Sequence, residues 1–337
     1  MSLTTGALRQ AIARLPRRRF AHLPTPLEEL PRFSEAVGAR IYIKRDDCTG
    51  LAFGGNKTRQ LEFTVADALA QGCDTLVQGA AAQSNHCRQA AAAAALCGLE
   101  CHLVLTRDAH SQPEQGNLLL DTLLGAQVHW YDGVLGEGME AAKRELTERL
   151  RAQGKKPYAL VPPRAHALGA VAHANAICEL VEQLEGRGLR ADWYYVCSSG
   201  ATQAGCVLGA RALGDPFRVA GIAPIEWQGG NPAKMADIAN RAASLLDLGL
   251  QFSPDDIVND AGYVGPAYGV VTPAGLEAVR LLARTEGIIT EPVYTGKALA
   301  GLIDHVRQGR IARDAVVVFV HTGGTPALFA YREELVG

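Results

Sequence analysis

The regular alternation of short apolar runs with helical segments is the feature of this sequence that most constrains its fold. The apolar runs predict strands at residues 41–44, 74–80, 101–106, 126–131, 158–161, 193–197, 218–224 and 315–322. The spacing of apolar residues between them predicts helices at residues 60–71, 90–96, 115–124, 137–153, 169–184 and 204–213. Strands separated by helices form parallel sheets that are covered on both faces. We therefore predict an α/β protein with open, mostly parallel twisted sheets flanked by helices.

Composition excludes several functions. The 337 residues carry a formal net charge of −2 and no long run of one sign, which argues against a nucleic-acid surface. No apolar run is long enough to span a bilayer, so no membrane partner is expected. The basic N-terminal segment predicts a weak amphipathic helix rather than a secretory signal. Eight cysteines without a CxxC pair indicate buried thiols, no metal site and a cytoplasmic setting.

A turn of small residues, SSGATQAG (198–205), follows one predicted strand and begins a helix. Small side chains leave backbone N–H groups exposed, and the helix N-terminus adds a positive field, so the turn is suited to a phosphate. It has neither the GK[ST] of a Walker loop nor the GxGxxG fingerprint. A plain turn closed by a Ser or Thr cap is the alternative.

A second polar turn, QSNHCRQ (83–89), also lies between a strand and a helix. Ser84 and Asn85 are typical helix caps. The free N–H groups of such a cap could equally hold a substrate carboxylate, with Asn85 donating to a ring oxygen. His86 is interpreted as a packed or helix-end histidine, because no nucleophile is paired with it.

Three more turns carry hydroxyl groups. HTGGTP ends the most apolar predicted strand, so Thr322 could contact a ring nitrogen or cap the next segment. YTGK and GPAYG contribute Tyr294 and Tyr268, although tyrosines are also common at half-buried core positions.

The stretch FGGNKTRQLE places Lys57 directly after two glycines and an asparagine, at the start of a predicted helix. A lysine on a glycine-rich turn, a phosphate-binding turn, a carboxylate-type cap and a ring-nitrogen partner together suit pyridoxal phosphate. The lysine would form a Schiff base and the ring would act as an electron sink.

These motifs resemble those of a known enzyme group. KRDDCTGLAFGGNKTRQLEF, AAAQSNHCRQ, SSGATQAG, GPAYG, EPVYTGKA and HTGGTPALFAY, in this order, are similar to the family of D-cysteine desulfhydrase, L-cysteate sulfo-lyase and 1-aminocyclopropane-1-carboxylate deaminase. The resemblance covers about residues 22–331. It implies a two-domain fold type II enzyme that uses pyridoxal 5′-phosphate. The large domain would comprise residues 1–56 and 169–337 and the smaller one residues 57–168, and the protein would be a homodimer.

The resemblance also implies roles for individual residues. Lys57 would be the Schiff-base lysine and would move the proton at Cα. Ser84 and Asn85, with Gln83 beside them, would lie at the substrate carboxylate and the cofactor O3′. The other implied contacts are the phosphate cradle of Ser199, Gly200, Ala201 and Thr202, the ring-nitrogen partners Thr322 and Thr295, and the substrate-flanking Tyr268 and Tyr294.

Thr295 bears on the reaction, because the resembling deaminases carry Glu after the tyrosine of this motif. A neutral hydroxyl does not hold the ring nitrogen protonated as a carboxylate would, so the ring is a weaker electron sink. β-Elimination tolerates this, because charge at Cα expels a leaving group from Cβ. We predict elimination from a β-substituted alanine such as L-cysteate or D-cysteine, giving pyruvate, ammonia and sulfite or sulfide. The alternatives are a deaminase or lyase for another small amino acid with a second anionic group, and a non-catalytic cofactor- or amino-acid-binding protein.

Three features depart from the family pattern. PPRAH (162–166) stands where relatives have a Gly-Gly-Ser-Asn turn. Arg164 and His166 could bind a second anionic group of the substrate there, or could point to solvent from a surface loop. Gln60 replaces a lysine near the phosphate. Phe53 replaces a small residue and would either narrow the pocket or pack beneath the turn.

Overall fold

The computed structural model describes residues 2–336. Its strands are β1 Leu27–Glu29, β2 Arg40–Lys44, β3 Thr75–Ala81, β4 Glu100–Thr106, β5 Gln127–Tyr131, β6 Pro157–Ala159, β7 Trp193–Cys197, β8 Arg218–Ile222, β9 Val258–Asp260 and β10 Val316–Val320. Its helices are α1 Thr5–Ile12, α2 Pro31–Val37, α3 Lys57–Ala70, α4 Asn85–Cys97, α5 Gly116–Leu123, α6 Glu137–Ala152, α7 Arg164–Glu185, α8 Ala201–Ala212, α9 Asn231–Leu245, α10 Pro273–Glu286, α11 Thr295–Arg307, α12 Thr325–Leu328 and α13 Arg332–Val336.

The strands form two sheets. The larger has the order β1-β2-β10-β7-β8-β9, and all its neighbours are parallel except the antiparallel pair β1 and β2. The smaller has the order β5-β4-β3-β6 and is parallel throughout. The predicted α/β architecture with mostly parallel sheets is therefore confirmed. The smaller sheet lies within residues 57–168, while the domain boundaries themselves stay predictions.

The larger sheet is organised around its most apolar strand. β10 lies between β2 and β7, and its residues Val317, Val318 and Phe319 have no exposed surface. Helix α8 packs closely on α7, because a Cβ built on Gly205 would lie only 2.1 Å from the Ala170 carbonyl oxygen. A side chain at residue 205 would separate these helices, so the glycine allows α8 to pack closely against α7.

Several helices begin earlier than the sequence predicts. Helices α3, α4 and α8 begin at residues 57, 85 and 201, where the sequence predicts 60, 90 and 204. The polar or small residues assigned to preceding turns form the first helical turns instead. Helix α7 likewise begins at Arg164 rather than at residue 169, so the PPRAH segment is not a free loop.

No helix within residues 2–336 is both long and apolar enough to cross a membrane. Over the same residues, no group of three or more His, Cys, Asp or Glu side chains is arranged to hold a metal ion. The eight cysteines are all free thiols.

Candidate active site

The polar turns that follow β3, β7 and β10 lie next to one another around the N-terminus of α3. The Asn56 backbone N–H donates to the Thr322 carbonyl at 3.0 Å, and Asn56 Nδ2 donates to Thr202 Oγ1 at 2.9 Å. A Cβ built on Gly324 would lie 2.9 Å from Asn85 Nδ2. Ligands of α/β proteins bind at the carboxyl ends of parallel strands. Three separate predicted turns therefore meet at one site.

Lys57 is the first residue of α3 and is half-buried at the centre of this site. Its Nζ has no hydrogen-bond or ion-pair partner within residues 2–336. The Cys197 thiol is the titratable group whose charge raises the pKa of Lys57, against the larger effect of burial. Removal from water lowers the pKa of Lys57 to about 8, because burial disfavours the charged form. A substantial fraction of the amine is therefore neutral and nucleophilic near neutral pH.

The glycines before Lys57 allow two backbones to touch. A Cβ built on Gly323 would lie 2.6 Å from Gly55 Cα, and one built on Gly54 would lie 2.0 Å from the Asp47 carbonyl oxygen. Gly54 and Gly55 have φ of 66° and 130°, which L side chains rarely adopt. These contacts fix the turn before Lys57 against the turn after β10.

Phe53 lies at the outer end of the same turn. Its side chain is 65% exposed, so it does not pack beneath the turn. Its φ of 69° is unusual for a residue other than glycine. The alternative role, narrowing the pocket, stays a prediction.

The turn between β7 and α8 has the properties of an anion site. Ser198 Oγ accepts from the Gln203 backbone N–H at 3.1 Å and so caps the helix. The backbone N–H groups of Ser199, Ala201 and Thr202 have no acceptor within residues 2–336. The serine hydroxyl thus satisfies one N–H of the first helical turn, while binding of a phosphate by the free N–H groups stays a prediction that their availability supports.

Thr202 adds a hydroxyl donor to this turn. Its Oγ1 accepts from Asn56 Nδ2 at 2.9 Å and from Gln60 Nε2 at 3.1 Å. Because both amides donate, the hydroxyl hydrogen of Thr202 is left to point elsewhere. Gln60 thus acts beside the anion turn through Thr202, and its Nε2 also lies 3.2 Å from His173 Nε2.

The turn between β3 and α4 offers a second set of free donors. Ser84 Oγ accepts from the Cys87 backbone N–H at 3.2 Å, as predicted for a helix cap. Asn85 Oδ1 accepts from Asn117 Nδ2 at 2.9 Å and from Arg88 Nη1 at 3.2 Å. These bonds orient the Asn85 amide and leave its Nδ2 donor free.

Gln83 is used differently from the sequence prediction. Its Oε1 accepts from the Asn117 backbone N–H, and its Nε2 donates to the His110 carbonyl, both at 2.8 Å. Because its amide is occupied by the backbone of the neighbouring segment, the predicted contact of Gln83 with substrate is corrected to a structural role.

The two candidate ring-nitrogen partners differ in availability. The Thr322 hydroxyl has no partner within residues 2–336, and the residue is 8% exposed. Thr295 is fully buried, and its hydroxyl lies 3.0 Å from Glu291 Oε1 and accepts from the Glu291 backbone N–H at 3.0 Å. Thr322 is therefore the candidate whose hydroxyl is free to contact a ring nitrogen, whereas the Thr295 hydroxyl is bound to Glu291.

Glu291 is a residue that the sequence analysis missed. It is fully buried, and its carboxylate accepts the backbone N–H groups of Val293, Tyr294 and Thr295 at the start of α11. Burial raises the pKa of Glu291, while these N–H groups lower it. A glutamate just before a helix is a capping signal that could have identified it.

Tyr268 and Tyr294, which the resemblance places beside the substrate, contact each other in the structure. Their hydroxyl oxygens are hydrogen-bonded, and their rings are edge-on with centroids 6.0 Å apart. Together with Tyr331 they line a cavity that also contacts Gln83 and Asp108. Burial raises the pKa of both tyrosines above the usual value, so they stay neutral hydroxyl donors.

Arg164 and His166 separate in the structure. Arg164 Nη2 donates to Asp67 Oδ1 at 2.6 Å near the C-terminal end of α3. Asp67 is ten residues beyond Lys57, which is about 15 Å along a helix axis. The predicted contact of Arg164 with a substrate anion is therefore wrong, because its guanidinium is bound elsewhere.

His166, two residues further along α7, is half-buried and lies three residues before Gly169, whose Cβ would contact Ala201 of the phosphate turn. Burial, followed by the charges of Lys234, Lys143 and Lys57, lowers the pKa of His166 to about 3. His86 has a lowered pKa for similar reasons, burial first and then Lys57. Both imidazoles are neutral at physiological pH.

Comparison with known proteins decides the family. The family model described as "Pyridoxal-phosphate dependent enzyme" matches residues 19–323. This chain belongs to that family. An ACC deaminase homologue of known structure shares 34% sequence identity with it, at a TM-score of 0.89 and with 98% of each chain covered.

Two more distant structures share the fold of this pyridoxal-phosphate enzyme. Diaminopropionate ammonia lyase of Escherichia coli has 16% identity and a TM-score of 0.67, with 98% of this chain and 90% of that chain covered. A threonine deaminase, its source printed as T.th., has 20% identity and a TM-score of 0.63, with 96% and 98% covered.

The described residues fit pyridoxal 5′-phosphate, the cofactor of this family. The free N–H groups at the start of α8 and the Thr202 hydroxyl would hold its phosphate, and the space in front of Gly200 is open. The neutral amine of Lys57 suits covalent attachment, and Thr322 would contact the ring nitrogen. Bound there, the cofactor supplies an electron sink for charge that develops at Cα.

Thr202→Val is expected to weaken cofactor binding about tenfold or more, because it removes a hydroxyl donor and leaves two amides without an acceptor. Titration of the apoenzyme with pyridoxal phosphate, followed by absorbance, measures the dissociation constant. Thr64→Val is the matched control, since that buried hydroxyl donates to the Gln60 carbonyl of its own helix. Equal affinity of the Thr202 variant and the wild type would contradict the assignment.

Proposed function

We propose that this pyridoxal-phosphate enzyme is a lyase that α,β-eliminates a β-substituted alanine such as L-cysteate or D-cysteine. The Cβ–S bond breaks, sulfite or sulfide leaves with its electron pair, and water converts the remainder to pyruvate and ammonia. The supporting observation is the environment of the ring-nitrogen position. Thr322 offers a neutral hydroxyl there, and the nearby Glu291 carboxylate is already occupied by backbone N–H groups and Thr295.

The chain's own residues supply the other parts of the reaction. The neutral amine of Lys57, favoured by its low pKa, accepts the Cα proton. The backbone N–H groups of Asn85 and His86 at the start of α4 have no acceptor within residues 2–336 and suit the substrate carboxylate. In the neutral Tyr268–Tyr294 pair one hydroxyl hydrogen is left over, and it can form a hydrogen bond to the departing group.

The test is a substrate panel with the holoenzyme: the D and L forms of cysteine, cysteate and β-chloroalanine, and 1-aminocyclopropane-1-carboxylate. We expect pyruvate in a one-to-one ratio with sulfite or sulfide. Formation of 2-oxobutanoate from the cyclopropane, without elimination from any alanine, would show a deaminase instead. Binding of an amino acid without any product would show a non-catalytic binding protein.

The homodimer, the cytoplasmic location and the domain boundaries remain proposals beside this function.

A further inference from the structure

Lys234, on the first turn of α9, is a half-buried cation that the reaction as described does not use. Its Nζ lies 3.9 Å from the centroid of the Trp227 ring. No carboxylate lies within ion-pair distance of it in residues 2–336. A lysine on an aromatic face is attracted by the ring, and its remaining N–H donors stay free.

Trp227 connects this lysine to the cofactor site. Its Nε1 donates to the Ser199 carbonyl in the phosphate turn at 3.1 Å. Its backbone N–H donates to Asn231 Oδ1 at 3.0 Å, and Asn231 Nδ2 donates to the Ile225 carbonyl at 2.9 Å. Trp227 is thus fixed by hydrogen bonds of its indole nitrogen and of its backbone N–H, and its ring holds Lys234 at the edge of the phosphate turn.

His166 is a second residue near the phosphate turn. It stands on the first turn of α7, three residues before Gly169, whose Cβ would lie 3.2 Å from Ala201 Cβ in the phosphate turn. After burial, the Lys234 charge is the largest cause of the lowered pKa of the His166 imidazole. His166 is neutral and can donate one ring N–H.

The neighbouring Lys143 is already compensated. Its Nζ is paired with Glu140 Oε2 at 2.8 Å and donates to the Leu160 carbonyl at 3.0 Å. The Glu140 charge also acts on Lys234, but Glu140 is paired with Lys143, so Lys234 has no carboxylate within ion-pair distance among the residues described.

We propose that Lys234 and His166 form a subsite for a second anionic group of the substrate, a sulfonate or carboxylate carried on Cβ. The inference rests on the proposed function and narrows it, since it favours cysteate over cysteine. A compact ammonium and an imidazole N–H can share the oxygens of one such anion, while the α-carboxylate is bound at the start of α4. The subsite replaces the sequence-predicted pair of Arg164 and His166.

Lys234→Met tests this in the holoenzyme by its effect on kcat/KM for two substrates. We expect kcat/KM for L-cysteate to fall about tenfold or more, because a charge-assisted hydrogen bond is lost. The value for β-chloroalanine, which has no second anion, should change less than about twofold. Lys234→Arg should restore most of the cysteate activity. Lys156→Met, an exposed lysine on the surface, is the matched control.

A binding measurement separates this inference from the proposed function. Titration calorimetry of the holoenzyme measures the dissociation constants of 3-sulfopropanoate, which carries a second anionic group, and of butanoate, which does not. Neither compound is turned over. We expect the wild type to bind the sulfonate more tightly, and Lys234→Met to lose that preference while butanoate binding is unchanged. If no alanine is eliminated but the preference depends on Lys234, only the proposed reaction fails. An unchanged preference in Lys234→Met would overturn the subsite, whatever the reaction.

Discussion

Replacing Lys57 by alanine is expected to reduce turnover by more than about 10³-fold, because the variant loses both the covalent anchor and the base at Cα. The visible absorption band of the covalently attached cofactor should disappear as well. Steady-state assays and absorbance spectra of the variant with added pyridoxal phosphate measure the two effects. Lys156→Ala serves as the control, since that lysine is exposed and distant from the site.

The same lysine predicts a pH dependence. With a pKa lowered to about 8, the Lys57 amine is neutral above that pH and protonated below it. The rate at which the apoenzyme attaches pyridoxal phosphate should therefore rise with pH and level off above about pH 8–9. Full turnover by Lys57→Ala, or an attachment rate that keeps rising through pH 10, would show that Lys57 is not the reacting amine.

Arg59→Met is expected to lower the free energy of unfolding by about 3–5 kcal/mol, because it leaves buried carboxylates without their partner. Arg59 is 2% exposed and bonds to both oxygens of Asp46, at 2.8 and 2.9 Å. It also bonds to Glu179 at 3.0 and 3.1 Å, and Glu179 pairs with Lys44 at 2.6 Å. Urea unfolding followed by circular dichroism measures the loss.

Acid should affect this network in a defined pH range. The native pKa of Glu179 is lowered to about 2, against burial, chiefly by the Arg59 charge, and that of Asp46 is also lowered. A lowered native pKa gives stability that is present above the unfolded pKa, about 4, and is lost as pH falls toward 2. The free energy of unfolding of the wild type should fall between about pH 4 and pH 2. That of Arg59→Met should change little over the same range, because the variant lacks the interaction that lowers the two pKa values.

Arg9→Met is the matched control for that experiment. Its ion pair with Glu182 is 39% and 45% exposed, so its loss should cost no more than about 1 kcal/mol. A similar loss of unfolding free energy in both variants would mean that burial does not determine how much the Arg59 network contributes to stability.

The sheets could be predicted from the sequence because their strands are apolar runs between helical segments. The runs at 74–80, 101–106 and 193–197 all became strands within one or two residues. β1 (LEE) and β9 (VND) were missed because each carries two polar or charged residues and forms no apolar run. Helix starts were placed late because glycine, serine, asparagine and proline at or just before them favour turns, so the polar and small residues that follow were assigned to those turns.

The site was predictable where a motif marked it, as for Lys57 and the phosphate turn. Arg164 and His166 could not be distinguished, because the sequence showed a loop where the structure has the first turn of α7. On a helix, residues two apart point about 200° around the axis from each other, so one faces the site and the other the surface. Lys234 and Trp227 carry no motif, and only the folded chain brings them to the phosphate turn.

The contact between Gly55 and Gly323 limits how the substrate specificity of this enzyme can be engineered. A Cβ on Gly323 would lie 2.6 Å from Gly55 Cα, and one on Gly55 would lie 2.6 Å from Gln89 Nε2 and 3.1 Å from the Thr322 carbonyl oxygen. A larger residue at either position would therefore displace the turn that carries Lys57. A mutagenesis library aimed at new substrates should leave residues 54, 55, 323 and 324 untouched. It should instead vary Phe53, which is exposed, and Lys234, whose side chain rests on an aromatic face rather than on the backbone.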